Sequence, residues 1–254
     1  MKGLIESHSW QALRRFTPAR IALGRAGNSL PTSAWLDFGL AHAQARDAVH
    51  APFDVPALLQ QLRAAGYSGV TVHSAAVDRT EYLRRPDLGR RLDNAARAWL
   101  QGIAAAASPR LAIVIADGLS VLATIRHAVP LLQALRPHLS GWEVAPIVVA
   151  SLARVALGDE IGETLGAEQT VMLIGERPGL SSHDSLGVYL TYAPRVGRTD
   201  GERNCISNIR TAGLGYAEAA RRLTFLLQGA RRLGRSGVVL KDDSDPTPQA
   251  TLGQ

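Results

Sequence analysis

This sequence is poor in several residue types, and each shortage excludes a class of protein. A single cysteine, Cys205, rules out an internal disulfide framework and a zinc site built from cysteines. No apolar run approaches the roughly 20 residues that a helix needs to cross a bilayer, and the opening residues lack the apolar stretch of a signal peptide. With 254 residues, 46% of them hydrophobic, the chain can still bury one core. We therefore expect a soluble, cytoplasmic globular protein.

Lysine is almost absent, although the chain is basic. There are 28 basic and 22 acidic residues, and only Lys2 and Lys241 are lysines, so the other 26 basic residues are arginines. A pI near 10.1 is compatible with a nucleic-acid-binding module. The arginines are spread along the chain, however, and aromatic residues make up only 5%, unlike the dense basic blocks of nucleic-acid arms. We expect solvated faces and protein contacts, with a basic nucleic-acid-binding module as the alternative.

The hydrophobic pattern predicts an α/β fold. Residues 111–116 form a continuous apolar run, typical of a strand buried on both faces of a parallel sheet. Predicted strands alternate with predicted helices, which favours a doubly wound, mostly parallel sheet flanked by helices. The predicted strands are 69–73, 111–116, 144–149 and 170–174, with a further one at 238–240; the predicted helices are 10–20, 33–50, 55–65, 87–107, 120–139, 158–165 and 217–233.

Turn-forming residues and polar stretches divide the chain into three parts. Residues 1–35 are interpreted as a short helical N-terminal arm that ends in a turn-rich stretch. Residues 36–240 carry the strand and helix pattern and are interpreted as the α/β domain. Residues 241–254 are polar and contain proline, so we expect a flexible tail.

Two carboxylates follow predicted strands, where open parallel sheets bind their ligands. Asp117 has two interpretations, a ligand-binding side chain or the N-cap of the helix that begins near Ser120, and we favour the cap. Glu176 likewise fits a ligand-binding role or an ion pair with Arg177, and the residues alone do not decide between the two.

Known catalytic motifs are missing. The chain has no dinucleotide fingerprint, no Walker P-loop and no G-x-S-x-G elbow, and its seven histidines include no H-x-x-x-H pair, so we expect no metal site built by this chain alone. A polar region, 192–210, is interpreted as a shaped binding loop that leads into a short element. Cys205 lies in this region and is expected to be a small buried side chain, as lone cysteines usually are. No neighbouring histidine supports a role as a nucleophile. These residues predict a ligand-binding α/β domain without a catalytic set.

Several long segments point to one enzyme family. They are GRAGNSLPT at 24–32, LDFGLAHAQARDAVH at 36–50, IADGLS at 115–120, RVALGDEIG at 154–162, GERPGLSS at 175–182, DSLGVYLTY at 184–192, VGRTD at 196–200 and RNCISNIR at 203–210. Through them the sequence resembles the small (light) subunit of ethanolamine ammonia-lyase, over about residues 20–235.

The resemblance implies a Rossmann-like α/β fold and an adenosylcobalamin-dependent carbon–nitrogen lyase. Such an enzyme converts ethanolamine to acetaldehyde and ammonia by a radical mechanism. A separate large subunit, a β/α-barrel, holds the substrate, and the small subunit closes on the cobalamin at the interface between the two. The resemblance also implies a cytoplasmic hetero-oligomer and leaves open whether it is packed in a bacterial microcompartment. A stand-alone nucleotide-binding enzyme is a weaker alternative that rests on fold class only.

The resemblance also assigns the cofactor-binding residues. The cobalamin contacts of the family fall on Val155, Glu176 and Cys205, each of which lies in one of the matching segments. Val155 would be an apolar contact, Glu176 an acceptor for amide donors, and Cys205 a small side chain packed against the cofactor. No catalytic residue and no metal ligand is implied for this chain. The missing Asp-x-His-x-x-Gly pattern suggests that the cobalamin keeps its own base.

Overall fold

The computed structural model describes residues 5–104 and 110–244. Seven α-helices and six strands are found in this part of the chain. The helices are α1 Thr32–His50, α2 Val55–Ala64, α3 Arg79–Arg84, α4 Asn94–Ala104, α5 Val121–Leu135, α6 Leu157–Thr164 and α7 Tyr216–Leu233; the strands are β1 Gly69–His73, β2 Leu111–Ala116, β3 Ile147–Ser151, β4 Gln169–Gly175, β5 Leu186–Tyr192 and β6 Arg203–Ile209.

The strands form one six-stranded sheet in the order β1-β3-β2-β4-β5-β6. The four strands from β1 to β4 pair in parallel, whereas β5 is antiparallel to both β4 and β6. The predicted α/β class is confirmed, but the sheet is mixed, and a Rossmann-like doubly wound parallel sheet is not confirmed. The connection 176–185 is too short for the crossover that a parallel partner would require, so β5 turns back against β4.

The sheet separates two apolar cores. In β2, Leu111, Ile113 and Ile115 pack into one core, with side chains of α2, α5 and α7. The alternate residues of the same strand pack into the other core, with side chains of α4 and α6. We refer to these two sides as the α5/α7 face and the α4/α6 face. Since successive side chains of a strand point to opposite faces, the continuous apolar run of β2 is explained by burial on both sides.

Local signals predicted several elements closely. Strands β1 and β2 have the predicted bounds, and helices α1, α2, α6 and α7 lie within one residue of theirs. Asp54 caps α2 through a bond from the Ala57 amide, at 2.9 Å, and Pro56 follows inside the first turn, where its missing amide hydrogen has no cost.

Two long predicted helices are shorter in the structure. The helix predicted at 87–107 is interrupted, because Leu88–Arg90 is a separate 3-10 turn and α4 begins only at Asn94. The Asp93 amide donates to the His73 carbonyl at 3.1 Å, which holds this part of the chain against β1; residues 105–107 lie outside the described residues. The helix predicted at 120–139 changes to a 3-10 turn after Leu135, just before Pro137.

Two further predictions are wrong in detail. The arm contains a 3-10 helix, Ser9–Phe16, in place of an α-helix over 10–20. The strand predicted at 238–240 is a turn, in which the Leu240 amide donates to the Gly237 carbonyl. The polar region 192–210 contains a loop that leads into a short element, as predicted, and that element is the strand β6. Of the predicted tail, residues 241–244 have no regular structure, and residues 245–254 lie outside the described part.

Candidate functional site

The usual binding crevice of this fold class is closed by hydrogen bonds. Helix α5 leads from β2 to β3 over one face of the sheet, and α6 leads from β3 to β4 over the other face. The crevice between the carboxyl ends of β2 and β3 is therefore the topological switch point of the sheet, where ligands often bind. Asp117, directly after β2, is buried there and accepts from the Ala153 and Gly118 amides at 3.0 Å each. The Arg79 guanidinium donates to the same carboxylate at 3.1 Å.

Asp117 therefore holds two strand ends together. Burial raises the pKa of its carboxyl group, an effect opposed by the backbone amides and by Arg79. The predicted N-cap role is wrong, since Ser120 caps α5 by accepting from the Ala123 amide at 3.2 Å. With its carboxylate fully engaged, Asp117 is a structural group.

Glu176 lies just beyond β4 at the same edge of the sheet. Its half-buried carboxylate accepts from the Ser185 hydroxyl and from the Asn208 amide, the latter at 3.3 Å. Arg177 is exposed, and no ion pair between Glu176 and Arg177 is found among the described residues. The interpretation of Glu176 as the ion-pair partner of Arg177 is therefore wrong. A Cβ on Gly187 would lie 3.0 Å from Glu176 Oε1, so the glycine lets the carboxylate lie flat against β5.

Cys205 is exposed on β6, the outermost strand. The expectation of a buried cysteine is therefore wrong, because the residue lies on the open side of an edge strand. Its direct partner in the antiparallel register is Tyr189, whose hydroxyl hydrogen-bonds to the thiol. Desolvation by the protein around the sulfur raises the pKa of the thiol, and the charge of Glu176 raises it further, while the bond from Tyr189 lowers it.

Val155 lies in the connection from β3 to α6, half-buried against the core of the α4/α6 face. The connection is held in place by several bonds. Leu152 has a positive φ of 54°, a conformation that a leucine keeps only where its surroundings enforce it. The enforcing contacts include the bond from the Ala153 amide to Asp117 and one from the Tyr82 hydroxyl to the Ala153 carbonyl, at 3.1 Å.

The three residues assigned from the sequence lie on one face of the sheet. Met172 and Ile174 point into the α4/α6 core, and Glu176 continues their alternation. Tyr189 packs against the same core as Val155, and Cys205 stands opposite Tyr189. Glu176 and Cys205 are close enough for the carboxylate charge to act on the thiol. Glu176 is also tied to the strand of Cys205, because its carboxylate accepts from the Asn208 backbone amide on β6. Val155 lies on the same face, against the α4/α6 core.

Tyr189 is the residue of this surface that sequence reasoning missed. Burial is the main cause of the raised pKa of its hydroxyl, and the Cys205 thiol and the Glu176 carboxylate add to it. The only available signal was the alternation of apolar residues in 186–190, which is typical of a strand with one buried face. That alternation was not used to predict a strand at 186–192, and it would not indicate which side chain stands beside Cys205.

Several arginines form ion pairs with buried carboxylates of the same chain. Arg203 pairs with Asp159 in the interior, and Arg97 binds Glu160 at 2.6 Å. Together with the Arg79–Asp117 pair, these contacts show that part of the basic charge neutralises buried carboxylates and does not form a surface stripe. Arg203, whose side chain is enclosed, cannot contact a phosphate.

Within residues 5–104 and 110–244, no group of three or more His, Cys, Asp or Glu side chains is arranged to hold a metal ion. In the same ranges, no helix combines the length and the apolarity that crossing a membrane requires. The fold and the site together define a mixed-sheet α/β protein with an open surface, partly apolar and partly polar, beyond its strand ends.

Comparisons with known proteins specify this class further. The ethanolamine ammonia-lyase light chain family matches residues 7–241. The chain is 58% identical over 246 residues to an ethanolamine ammonia-lyase small subunit of Ralstonia nicotianae, covering 95% of this chain and 91% of the relative. It is 59% identical over 240 residues to the small subunit of Azotobacter vinelandii, covering 93% and 89% of the two chains. The chain belongs to the ethanolamine ammonia-lyase light chain family, and the resemblance found in the sequence is confirmed.

Proposed function

We propose that this chain, as the small subunit of ethanolamine ammonia-lyase, forms one wall of an adenosylcobalamin site whose other wall is the large subunit. The enzyme would convert ethanolamine to acetaldehyde and ammonia by a radical mechanism. The observation that carries the proposal is that Glu176, Cys205 and Val155, from separate family segments, lie on the open α4/α6 face, where Glu176 accepts from the Asn208 backbone amide on β6, the strand that carries Cys205.

The residues of this surface fit a large, flat ligand with amide side chains. A carboxylate offers about four lone-pair sites, and Glu176 uses two acceptor contacts within the chain, so it retains capacity for an amide donor. Gly187 contributes no side chain beside it, and Cys205 is small and exposed. A macrocycle can therefore approach the sheet closely.

Each residue then has a separate role. Glu176 accepts a hydrogen bond from an amide of the cofactor, Val155 supplies apolar contact, and Cys205 supplies a close-packed small surface. Tyr189 joins them as a fourth residue, since it supports Cys205 from the neighbouring strand. When bound, adenosylcobalamin supplies the radical chemistry. The residues of this chain bind and orient it, and we assign none of them to proton transfer to or from the substrate.

The proposal includes a cytoplasmic hetero-oligomer with the large subunit, either free or packed in a bacterial microcompartment. The large subunit would bind ethanolamine. Family membership favours this function over the nucleic-acid-binding alternative, which rested on charge alone.

Co-expression with a large subunit of the same enzyme tests the proposal. Adenosylcobalamin binding, followed by absorbance, and ammonia release should both require the two chains together, because one wall alone leaves much of the cofactor exposed. Ethanolamine turnover by the purified chain alone would contradict the proposal. So would a complex of the two chains that binds no cobalamin.

A further inference from the structure

Helix α1 leaves most of its surface uncovered by the rest of the chain. Only Ala41 and Ala48 of this helix are buried. Its large apolar side chains point outward instead: Trp35 is 64% exposed and Phe38 is 44% exposed, and Leu36 and Leu40 are exposed as well. Scattered exposed apolar residues are ordinary, but a contiguous set of this kind marks an interaction site.

Two of these side chains, Trp35 and Phe38, border an apolar groove of about 560 Å³, whereas Leu36 and Leu40 do not line it. It lies between the N-terminal arm, α1 and the connection from β4 to β5, and its lining residues are Ala19, Arg20, Leu23, Leu30, Ala34, Trp35, Phe38, Leu180 and Ser181. Its volume is within the range of ordinary binding pockets. With Arg20 as its one charged lining residue, the groove fits apolar side chains.

The groove is continuous with the proposed cofactor surface. Leu180 follows Glu176 by four residues, which span at most about 14 Å of chain. The Arg20 guanidinium donates to the Leu180 carbonyl at 3.3 Å, and Arg210, just after β6, donates to the Ser181 carbonyl at 3.4 Å. A protein that covers Glu176 would therefore also lie against the edge of the groove formed by Leu180 and Ser181.

We infer that this groove is a docking surface for the large subunit, which inserts an apolar helix face or loop between α1 and the β4–β5 connection. The inference rests on the proposed function, because a large subunit that closes over the cofactor surface has to pass this edge of the chain. A second copy of this chain has no such reason to lie beside the cofactor surface. Aromatic side chains in such grooves often dominate binding energy.

The test compares two variants of the full chain against the purified large subunit. Trp35→Asp combined with Phe38→Asp places charge in the groove. The matched control is Leu233→Asp at the C-terminal end of α7, since Leu233 is 55% exposed and lies at the opposite end of the sheet from Glu176 and the groove. Association is measured by light scattering and interferometry, and folding by circular dichroism. We expect the groove variant to bind the large subunit about 30-fold more weakly or worse, and the control to bind as the unmodified chain does.

The outcomes separate the two proposals. If the unmodified chain does not bind the large subunit, the proposed function fails. If it binds and the groove variant binds equally well, or if the control loses as much affinity, the docking inference is wrong. Loss of self-association by the groove variant, with unchanged large-subunit binding, would assign the groove to a second copy and overturn the inference.

A measurement on the unmodified chain avoids any effect of the variant on folding. Backbone amides of 35–40 should exchange hydrogen more slowly when the large subunit is added, and those of 228–233 at the C-terminal end of α7 should not change. Equal exchange of 35–40 with and without the large subunit would overturn the inference.

Discussion

Tyr189 and Cys205 are direct partners across the antiparallel pair β5–β6, and the tyrosine hydroxyl hydrogen-bonds to the thiol. Tyr189 is half-buried against the α4/α6 core, whereas Cys205 is exposed at the edge of the sheet. The bond therefore gives an exposed side chain a defined position. It also makes the titration of the thiol a sensitive measure of the local arrangement.

Removing the tyrosine hydroxyl should shift the pH dependence of cysteine alkylation. The bond from Tyr189 lowers the pKa of the Cys205 thiol, so Tyr189→Phe should raise it and move the alkylation profile to higher pH. The charged groups that act on this pair, Glu176 and Asp200, remain in place. Rates of iodoacetamide reaction in the chain without cofactor give the profile.

The control is Tyr192→Phe, because Tyr192 lies on the same strand but packs on the α5/α7 face. Its alkylation profile should match that of the unmodified chain. A profile of Tyr189→Phe that also matches would show that the hydrogen bond has no effect on the thiol.

Glu176→Gln should weaken cofactor binding without affecting the chemistry. The change keeps the shape and one acceptor oxygen but removes the charge, and charge-assisted hydrogen bonds are about twice as strong as neutral ones. Adenosylcobalamin affinity of the two-subunit complex should fall by about ten-fold, and turnover at saturating cofactor should change little. Glu143→Gln is the control, since Glu143 is exposed at the opposite end of β2. Collapse of saturated turnover with unchanged affinity would assign Glu176 to the reaction instead.

Enlarging Cys205 should block the cofactor and leave the fold intact. The side chain is exposed in the chain by itself, so Cys205→Trp needs no repacking of the core and should keep the melting temperature within a few degrees, as is usual for surface changes. In the complex, the same indole would occupy space that we assign to the cofactor, so binding should be lost. Cys205→Ala should retain most saturated turnover. Normal cobalamin binding by the Trp variant, followed by absorbance, would show that Cys205 lies away from the cofactor.

Protonation of His127 should destabilise the fold in mild acid. Its Nδ1 lies 2.8 Å from the Tyr216 hydroxyl, which links α5 to α7, and its Nε2 lies 3.6 Å from Asp184. Burial lowers the pKa of His127, although the charge of Asp184 opposes this effect. A lowered pKa means that the folded chain resists protonation. The stabilising contribution is therefore complete above about pH 6.5, the ordinary value for histidine, and is lost as the pH falls through the lower pKa of the folded state.

His127→Asn separates this contribution from the general effect of acid. The variant should unfold at a lower temperature at pH 7, with a loss of about 1 kcal/mol for a weakened hydrogen bond, and its stability should decline less steeply between pH 7 and pH 5. Thermal unfolding across this range measures both, with the exposed His138→Asn as control. An unchanged slope would mean that His127 does not titrate with folding.

Asp117→Asn should reduce stability more than a surface change of the same type. The Arg79 guanidinium, mostly enclosed, would lose its charged partner, and breaking a buried pair typically costs about 3–5 kcal/mol. Asp47→Asn breaks the exposed pair with Arg46, for which about 0–1 kcal/mol is expected. Urea unfolding measures the difference. Equal midpoints for the two variants would show that Asp117 is not needed to join β2 to β3.

Local patterns predicted the parts of the fold that depend on nearby residues. The apolar run of β2 and the cap and proline at the start of α2 each carry their signal within a few residues. The start of α4 also has a local signal that the predicted helix over 87–107 overlooked, because the Asp93 carboxylate caps it by accepting from the Ala96 amide at 2.6 Å. The bond from the Asp93 amide to His73 on β1 has no such local signal. The edge strand β6 was also missed, since its exposed residues Cys205, Ser207 and Asn208 are polar or small and give no clear alternation.

By itself, the sequence determined the α/β class, the central buried strand and the family; the assignment of three residues to the cofactor surface came from the family resemblance and stays a prediction. These depend on composition, short-range periodicity and long matching segments, all of which are present in the order of residues. Only the tertiary structure decided that the Asp117 carboxylate binds backbone amides at the ends of β2 and β3. The same holds for the exposure of Cys205 beside Tyr189 and for the position of the Glu176 carboxylate next to Gly187. Each of these facts depends on which strands become neighbours and in which direction they run, and pairing between distant segments is set by packing of the whole chain and not by any local pattern.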